Sequence, residues 1–248
     1  MMKNKIRQLY GITAFYAIPI VKRNWIWMLT SLIMPFSFFV MFYFIGGKDL
    51  SMQAPIGALA VLSFNAGLVN LPQYMLMSKF RKLHYYFVSA PISPVLYNAA
   101  IALAMLIPMI PDLIVMIILC YLLGARFSIV GILSLILVIL LTWAVGSLLG
   151  FYIGTRVSNA MYISAIANTA GLLLETLPPV YYPLNYVSFA WKDVLLLIPT
   201  VSAAHLMRWL MESIKMPRVE AIYAFIILFV YILVFIILVQ RKAEWMER

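Results

Sequence analysis

Apolar residues along this chain fall in long blocks, and charged residues gather in short clusters between them. A hydrocarbon core about 30 Å thick takes about 20 apolar residues of helix to cross. Blocks at 25–45, 55–76, 95–123, 129–152, 159–177 and 221–239 therefore predict six transmembrane helices. A shorter apolar run at 9–21 lies between Lys3, Lys5 and Arg7 on one side and Lys22 and Arg23 on the other. It is too short to span. It ends at Lys22-Arg23-Asn24-Trp25 instead of the small-residue site at which a signal peptide is cleaved. The expectation is a helix lying in the interface, with Pro19 bending the chain into the first span and Trp25 and Trp27 anchoring it. Gly46-Gly47-Lys48-Asp49 reads as a turn, as does the segment holding Arg126 and Ser128. Between the fifth and sixth spans, the best apolar run in 178–218 is 194–204, interrupted by Pro199. That run is too short to cross alone. Short helices that dip into the membrane and return fit it, provided that other helices bury them.

Composition sharpens this picture. Of the 248 residues, 65% are hydrophobic and 10% charged, whereas soluble domains carry about 25% charged residues. The expectation is one all-α transmembrane domain over 1–248, with no room for a soluble catalytic domain. The net charge of +10 does not indicate nucleic acid, because the Lys and Arg residues flank the apolar blocks. Of the 18 cations, a six-span map puts twelve on the side that holds both termini and the Lys79-Phe80-Arg81-Lys82 cluster. The positive-inside rule makes that side cytoplasmic, in the plasma membrane. Cys120 is the only cysteine, so no intrachain disulfide and no thiolate metal cluster can form.

Few residues carry candidate chemistry. Asp112, just after Pro108 and Pro111, falls inside the third span. An intramembrane acid faces the protein interior or a polar cavity by default. It reads either as a substrate-path or proton-relay group, with Asn65 and Asn168 as further path candidates, or as an acid capping a proline-broken helix. Asn65, Asn70 and Asn168 also suit interhelical hydrogen bonding. Glu175, near the outer end of the fifth span, reads as an interface residue. Gly146, Gly150 and Gly154 form a GxxxGxxxG series on span four, which lets two backbones approach closely. It serves packing against a neighbouring helix of the same chain or a dimer seam, and Ala160, Ser164 and Asn168 repeat the spacing on span five. His205, Arg208 and Glu212 share a helical face and read as a solvated or headgroup-facing stripe. His84 and His205 fall on opposite sides of the membrane, so no metal site is expected. Gly47-Lys48 lacks the Ser/Thr and the upstream glycine of a nucleotide-binding loop.

Taken together, the basic helix before span one, the ending Phe87-Val88-Ser89-Ala90-Pro91-Ile92-Ser93 of the loop after span two, and the outer segment Pro179-Val180-Tyr181-Tyr182-Pro183-Leu184-Asn185-Tyr186 followed by Pro199-Thr200 and His205-Leu206-Met207-Arg208 resemble the permease subunits of ABC-2-type, exporter-class ABC transporters. The resemblance runs over nearly the whole chain in the order and length of its elements. It departs at Ser78–Tyr86, where the family carries an acid and a Gly-Thr pair and this chain has neither. The resemblance implies a permease that forms an efflux path as a dimer with itself or a homologue. ATP and Mg would sit on a separate ATPase subunit, with none on this chain. It makes Lys79, Phe80, Arg81, Lys82, Leu83, His84, Tyr85, Tyr86 and Pro91 the coupling element to that ATPase. Two rivals stand beside it. One is a stand-alone secondary transporter or channel using Asp112. The other, a membrane-embedded lipid enzyme, needs a His, Asp, Glu or Ser cluster that the sequence does not supply.

Overall fold

The computed structural model describes residues 2–23, 25–80, 82, 92–157, 159–188 and 192–240. Helices make up nearly all of it: α1 (Met2–Arg23), α2 (Trp25–Ser31), α3 (Ile33–Ser51), α4 (Gln53–Asn65), α5 (Leu71–Phe80), α6 (Pro94–Leu106), α7 (Ile110–Leu123), α8 (Ile129–Arg156), α9 (Ala160–Glu175), α10 (Pro199–Leu210) and α11 (Arg218–Gln240). A π-helical turn, Ala66–Asn70, joins α4 to α5, and a 3-10 turn, Ile107–Met109, joins α6 to α7. No strand occurs among the described residues. Among the described residues, five stretches are long and apolar enough to cross a membrane: Leu29–Ser51, Gln53–Ser78, Leu96–Leu123, Ile129–Arg156 and Arg218–Val239. They mark a membrane protein. The expected fifth span corresponds to α9, which has 16 residues and so reaches only about 24 Å.

The boundaries follow local chemistry. Ser93 caps α6 by accepting from the Leu96 amide, and Pro94 takes the first helical position, where its missing N–H costs nothing. Ser128 and Asn159 cap α8 and α9 in the same way. Gly124 closes α7 in a left-handed conformation, φ 108°, which glycine adopts without strain. The expected turn at Gly46-Gly47 is a break at Gly47 (φ 64°, ψ −154°) within α3. Pro19 lies inside α1, which runs through it to Arg23.

Packing centres on α4, whose residues from Gln53 to Phe64 are all buried. Around it stand α3, α7, α8 and α10. The closest approach is to α8. A Cβ on Gly67 would lie 2.0 Å from the Ser147 amide nitrogen, one on Gly146 2.2 Å from the Phe64 carbonyl, and one on Gly150 2.2 Å from the Gly67 carbonyl. The hydrogens of Gly146 and Gly150 in those places point at backbone carbonyls, the geometry of Cα–H···O contacts between helices. Gly146 and Gly150 therefore pack against α4 and its π turn within the chain. Gly154 meets only Pro72 and Met75 at ordinary contact distance.

Helix α1 buries Ile12, Tyr16, Ala17 and Ile20 against α6, and leaves Tyr10, Phe15 and Ile18 exposed on its other side. An element apolar on both sides suits lipid better than water. The Tyr16 hydroxyl bonds the Tyr97 hydroxyl at 2.8 Å, and Ser78 reaches the same hydroxyl at 3.1 Å. Tyr97 thus ties α1 to both ends of the basic loop. Of that loop, Arg81 and the segment holding Leu83, His84, Tyr85, Tyr86 and Pro91 lie outside the described residues. Phe80 and Lys82 are exposed.

Candidate functional site

One cavity inside the bundle gathers most of the polar residues that the sequence places in membrane helices. It has a volume of about 260 Å³ and is walled by the α2–α3 junction, α4 with its π turn, the start of α7, the second half of α9 and Tyr181. Asp112, Asn65 and Asn168, the three path candidates, all line it. Three features bring them there. The 3-10 turn at Pro108 sets Asp112 in the first turn of α7, where the helix dipole favours an anion. The π turn adds a residue to one turn, so that Asn65, Val69 and Asn70 face the cavity while Gly67 faces α8. The Thr200 hydroxyl donates to the Leu174 carbonyl at 2.5 Å, holding the end of α9, and with it Glu175, against α10.

Asp112 is 4% exposed and accepts a hydrogen bond from the Ser31 hydroxyl of α2. Its side chain therefore links two helices instead of capping its own. Glu175 corrects the sequence reading. It is 2% exposed, not an interface residue, and its Oε2 accepts from Asn65 Nδ2 at 2.9 Å. Sequence position put it near a span end. What the sequence did not reveal is that Tyr181 of the following segment stands beside Glu175 at the same cavity. The floor of the cavity is formed by Asp112, Glu175 and Tyr181, all buried, and the mouth by the exposed Thr30, Asn168 and Leu172. Asn168 bonds the Ser164 carbonyl of its own helix at 2.8 Å. The lining holds two carboxyls and, among the described residues, no Lys, Arg or His. Among the described residues, no three His, Cys, Asp or Glu side chains assemble as metal ligands.

A second polar cluster caps the bundle. The segment between α9 and α11 folds as two 3-10 turns, Leu184–Tyr186 and Lys192–Leu197, and then α10. Helix α10 packs on α4, α8 and α11 and buries every residue from Pro199 to Arg208. The expected solvated stripe of His205, Arg208 and Glu212 does not exist. His205 and Arg208 are buried at 6% and 1% exposure, and Glu212 lies beyond the helix end at φ 53°. Arg208 donates to the Val180 carbonyl. That carbonyl rests on α4 at Gly57, where a Cβ would stand 2.3 Å away. Burial pushes the Arg208 guanidinium down to about 9, so it remains charged at neutral pH.

His205 Nε2 stands 3.5 Å from a Glu220 carboxylate oxygen. Burial holds the imidazole below its usual range, and the Arg208 charge adds to this, against the opposing pull of Glu220 and Asp193. A histidine depressed in the folded state takes up its proton more readily when unfolded. Its contribution is complete above the unfolded value, about 6.5, and is lost as pH falls below it. Thermal unfolding in detergent is expected to move to lower temperature between pH 7.5 and 5.5. His205→Gln should flatten that slope, and an unchanged slope in the variant would show that another group is responsible.

No protein-family model matches this chain, and no curated protein matches it.

Proposed function

We propose that this chain is the permease subunit of an ABC-type exporter, with six spans, both termini in the cytoplasm, and α9 as the short fifth span. In this reading two copies, or this chain and a homologue, form the path, and a separate ATPase supplies the energy. The observation that carries it is the Tyr16–Tyr97–Ser78 hydroxyl cluster. It clamps α1 to both ends of the basic loop, as a lever joining a cytoplasmic partner to the helices needs. The buried α10 between the last two long helices supports the same order of elements.

Force applied to the loop would reach α5 and α6 directly and α1 through Tyr97. Helix α5 continues into the π turn, and α6 continues into the Pro108 turn and Asp112. Both ends of the loop therefore lead to the cavity wall. The loop itself pairs the cationic residues Lys79, Arg81 and Lys82 with the aromatic residues Phe80, Tyr85, Tyr86 and Phe87, a composition suited to docking in a groove beside lipid headgroups.

The test is isolation of the tagged chain from its native membrane with identification of its partners. An ATP-binding-cassette ATPase should accompany the wild type and be lost when Lys79, Arg81 and Lys82 are all changed to Glu. An ATPase that stays bound to the triple variant refutes the coupling role, and a chain isolated without any ATPase refutes the permease reading. One observation favours a second reading, a stand-alone transporter: two buried carboxyls share the cavity, as intramembrane acids on ion pathways do. Uptake into liposomes driven by an ion gradient, with no ATPase present, would establish it.

A further inference from the structure

Among the described residues, the two carboxyls in the cavity are held by neutral donors, Ser31 on Asp112 and Asn65 on Glu175. Glu175 also occupies the last position of α9, where the helix dipole disfavours negative charge. Its second oxygen, Oε1, is buried without a partner, as are Asn65 Oδ1 and the Tyr181 hydroxyl. The two unpartnered oxygens converge. A methyl placed on Gly171 would lie 3.3 Å from Asn65 Oδ1 and 3.5 Å from Glu175 Oε1. An unmet acceptor in a buried site costs about 1–3 kcal/mol, more when it is charged, and two converging acceptors are satisfied together by one donor-rich cation.

We propose that this cavity binds an organic ammonium group, the cationic head of an amphiphilic substrate. The inference rests on the transport reading and names the cargo for it. Charge sets the sign of the ligand, because two acids face no basic residue among the described lining. Size selects an organic head over a bare metal ion. About 10–15 Å³ of the same kind of volume suffices for one water, so about 260 Å³ far exceeds what a dehydrated ion fills. The walls suit carbon around the charge: Met34, Val61, Met109 and Leu172 line the same space. The mouth at Thr30, Asn168 and Leu172 opens onto a surface where Ile26, Leu29 and Ile33 are exposed, a route by which a tail could remain in lipid while the head turns inward.

The experiment uses the purified full chain in nanodiscs, with no ATPase, and dodecylammonium, whose head carries three N–H donors, as the probe, measured by equilibrium binding against empty nanodiscs. Saturable binding is expected. Glu175→Gln and Asp112→Asn should each weaken it about tenfold or more, the loss of one charge-assisted contact. Gly171→Ala keeps both carboxyls and fills the point at which the oxygens converge, so it should also weaken binding while leaving the melting temperature near that of the wild type. Dodecanol, with the same tail and no charge, should not compete. Equal affinity in Glu175→Gln overturns the proposal. So does displacement of the probe by sodium but not potassium, which would assign the site to a metal ion. Recruitment of an ATPase plays no part in this measurement, so loss of the permease reading and loss of the cargo assignment give separate results.

Discussion

Gly67→Ala is expected to cost about 3 kcal/mol, the upper range for overpacking, and to leave little folded protein in detergent. The added methyl would lie 2.0 Å from the Ser147 nitrogen, 2.4 Å from the Gly146 carbonyl carbon and 2.6 Å from the Ser147 Cα. All three are backbone atoms, so no rotamer change can make room. Ordinary contact requires α8 to retreat by more than 1 Å. That retreat would also open the Gly146–Phe64 and Gly150–Gly67 approaches, which interlock with it. Helices in lipid gain little from burying apolar surface and depend on close packing, so the loss has no hydrophobic compensation. The matched control is Gly154→Ala in the same series. Its methyl meets Pro72 and Met75 at 3.5 and 3.6 Å, and an alanine favours helix over glycine. It should be neutral or slightly stabilising. Thermal unfolding of the two variants, measured side by side, checks this; equal melting temperatures would show that the α4–α8 approach is looser than the structure has it.

The contrast between these two glycines also shows where sequence stops being informative. Blocks of apolar residues are set by the thickness of lipid, so most spans were legible. The GxxxGxxxG pattern announced close packing on α8, but not its partner. The partner face includes Gly67 inside a π turn, and a single inserted residue leaves no periodic trace in a helix that is apolar all round. Asp112, Asn65 and Asn168 stood out because polar residues are costly in membrane helices. Glu175 and Tyr181 did not, because the fold of 176–198 decides whether they are covered. That segment has no regular period from which its path could be read. His205 and Arg208 misled for a related reason: helical spacing puts charges on one face but does not say which way the face turns, and here it turns inward.

Arg208→Ala should destabilise the protein by about 3 kcal/mol and loosen the cap over the cavity. The side chain is 1% exposed and donates to Val180, so truncation leaves both a cavity and a buried carbonyl without its donor. Large-to-small changes at buried sites cost about 2–5 kcal/mol, and an orphaned acceptor about 1–3 kcal/mol. Against these stands a gain, since removing a buried charge with an unpartnered Nε relieves its desolvation. Arg208→Met separates the contributions. It keeps most of the volume and discards the charge, so it should recover part of the loss, leaving mainly the orphaned carbonyl. Arg208→Met equal to wild type would mean that desolvation relief cancels the lost hydrogen bond. The local consequence distinguishes a cap from a generic core residue. Val180 rests on Gly57 of α4 and its neighbour Tyr181 stacks on Phe38 with ring centroids 4.1 Å apart, so the Arg208 bond holds the segment that closes the floor of the cavity. Amide hydrogen exchange over 178–187 should therefore accelerate in Arg208→Ala more than in α11, and the ammonium probe should dissociate faster. Uniform acceleration along the chain would assign Arg208 to global stability alone.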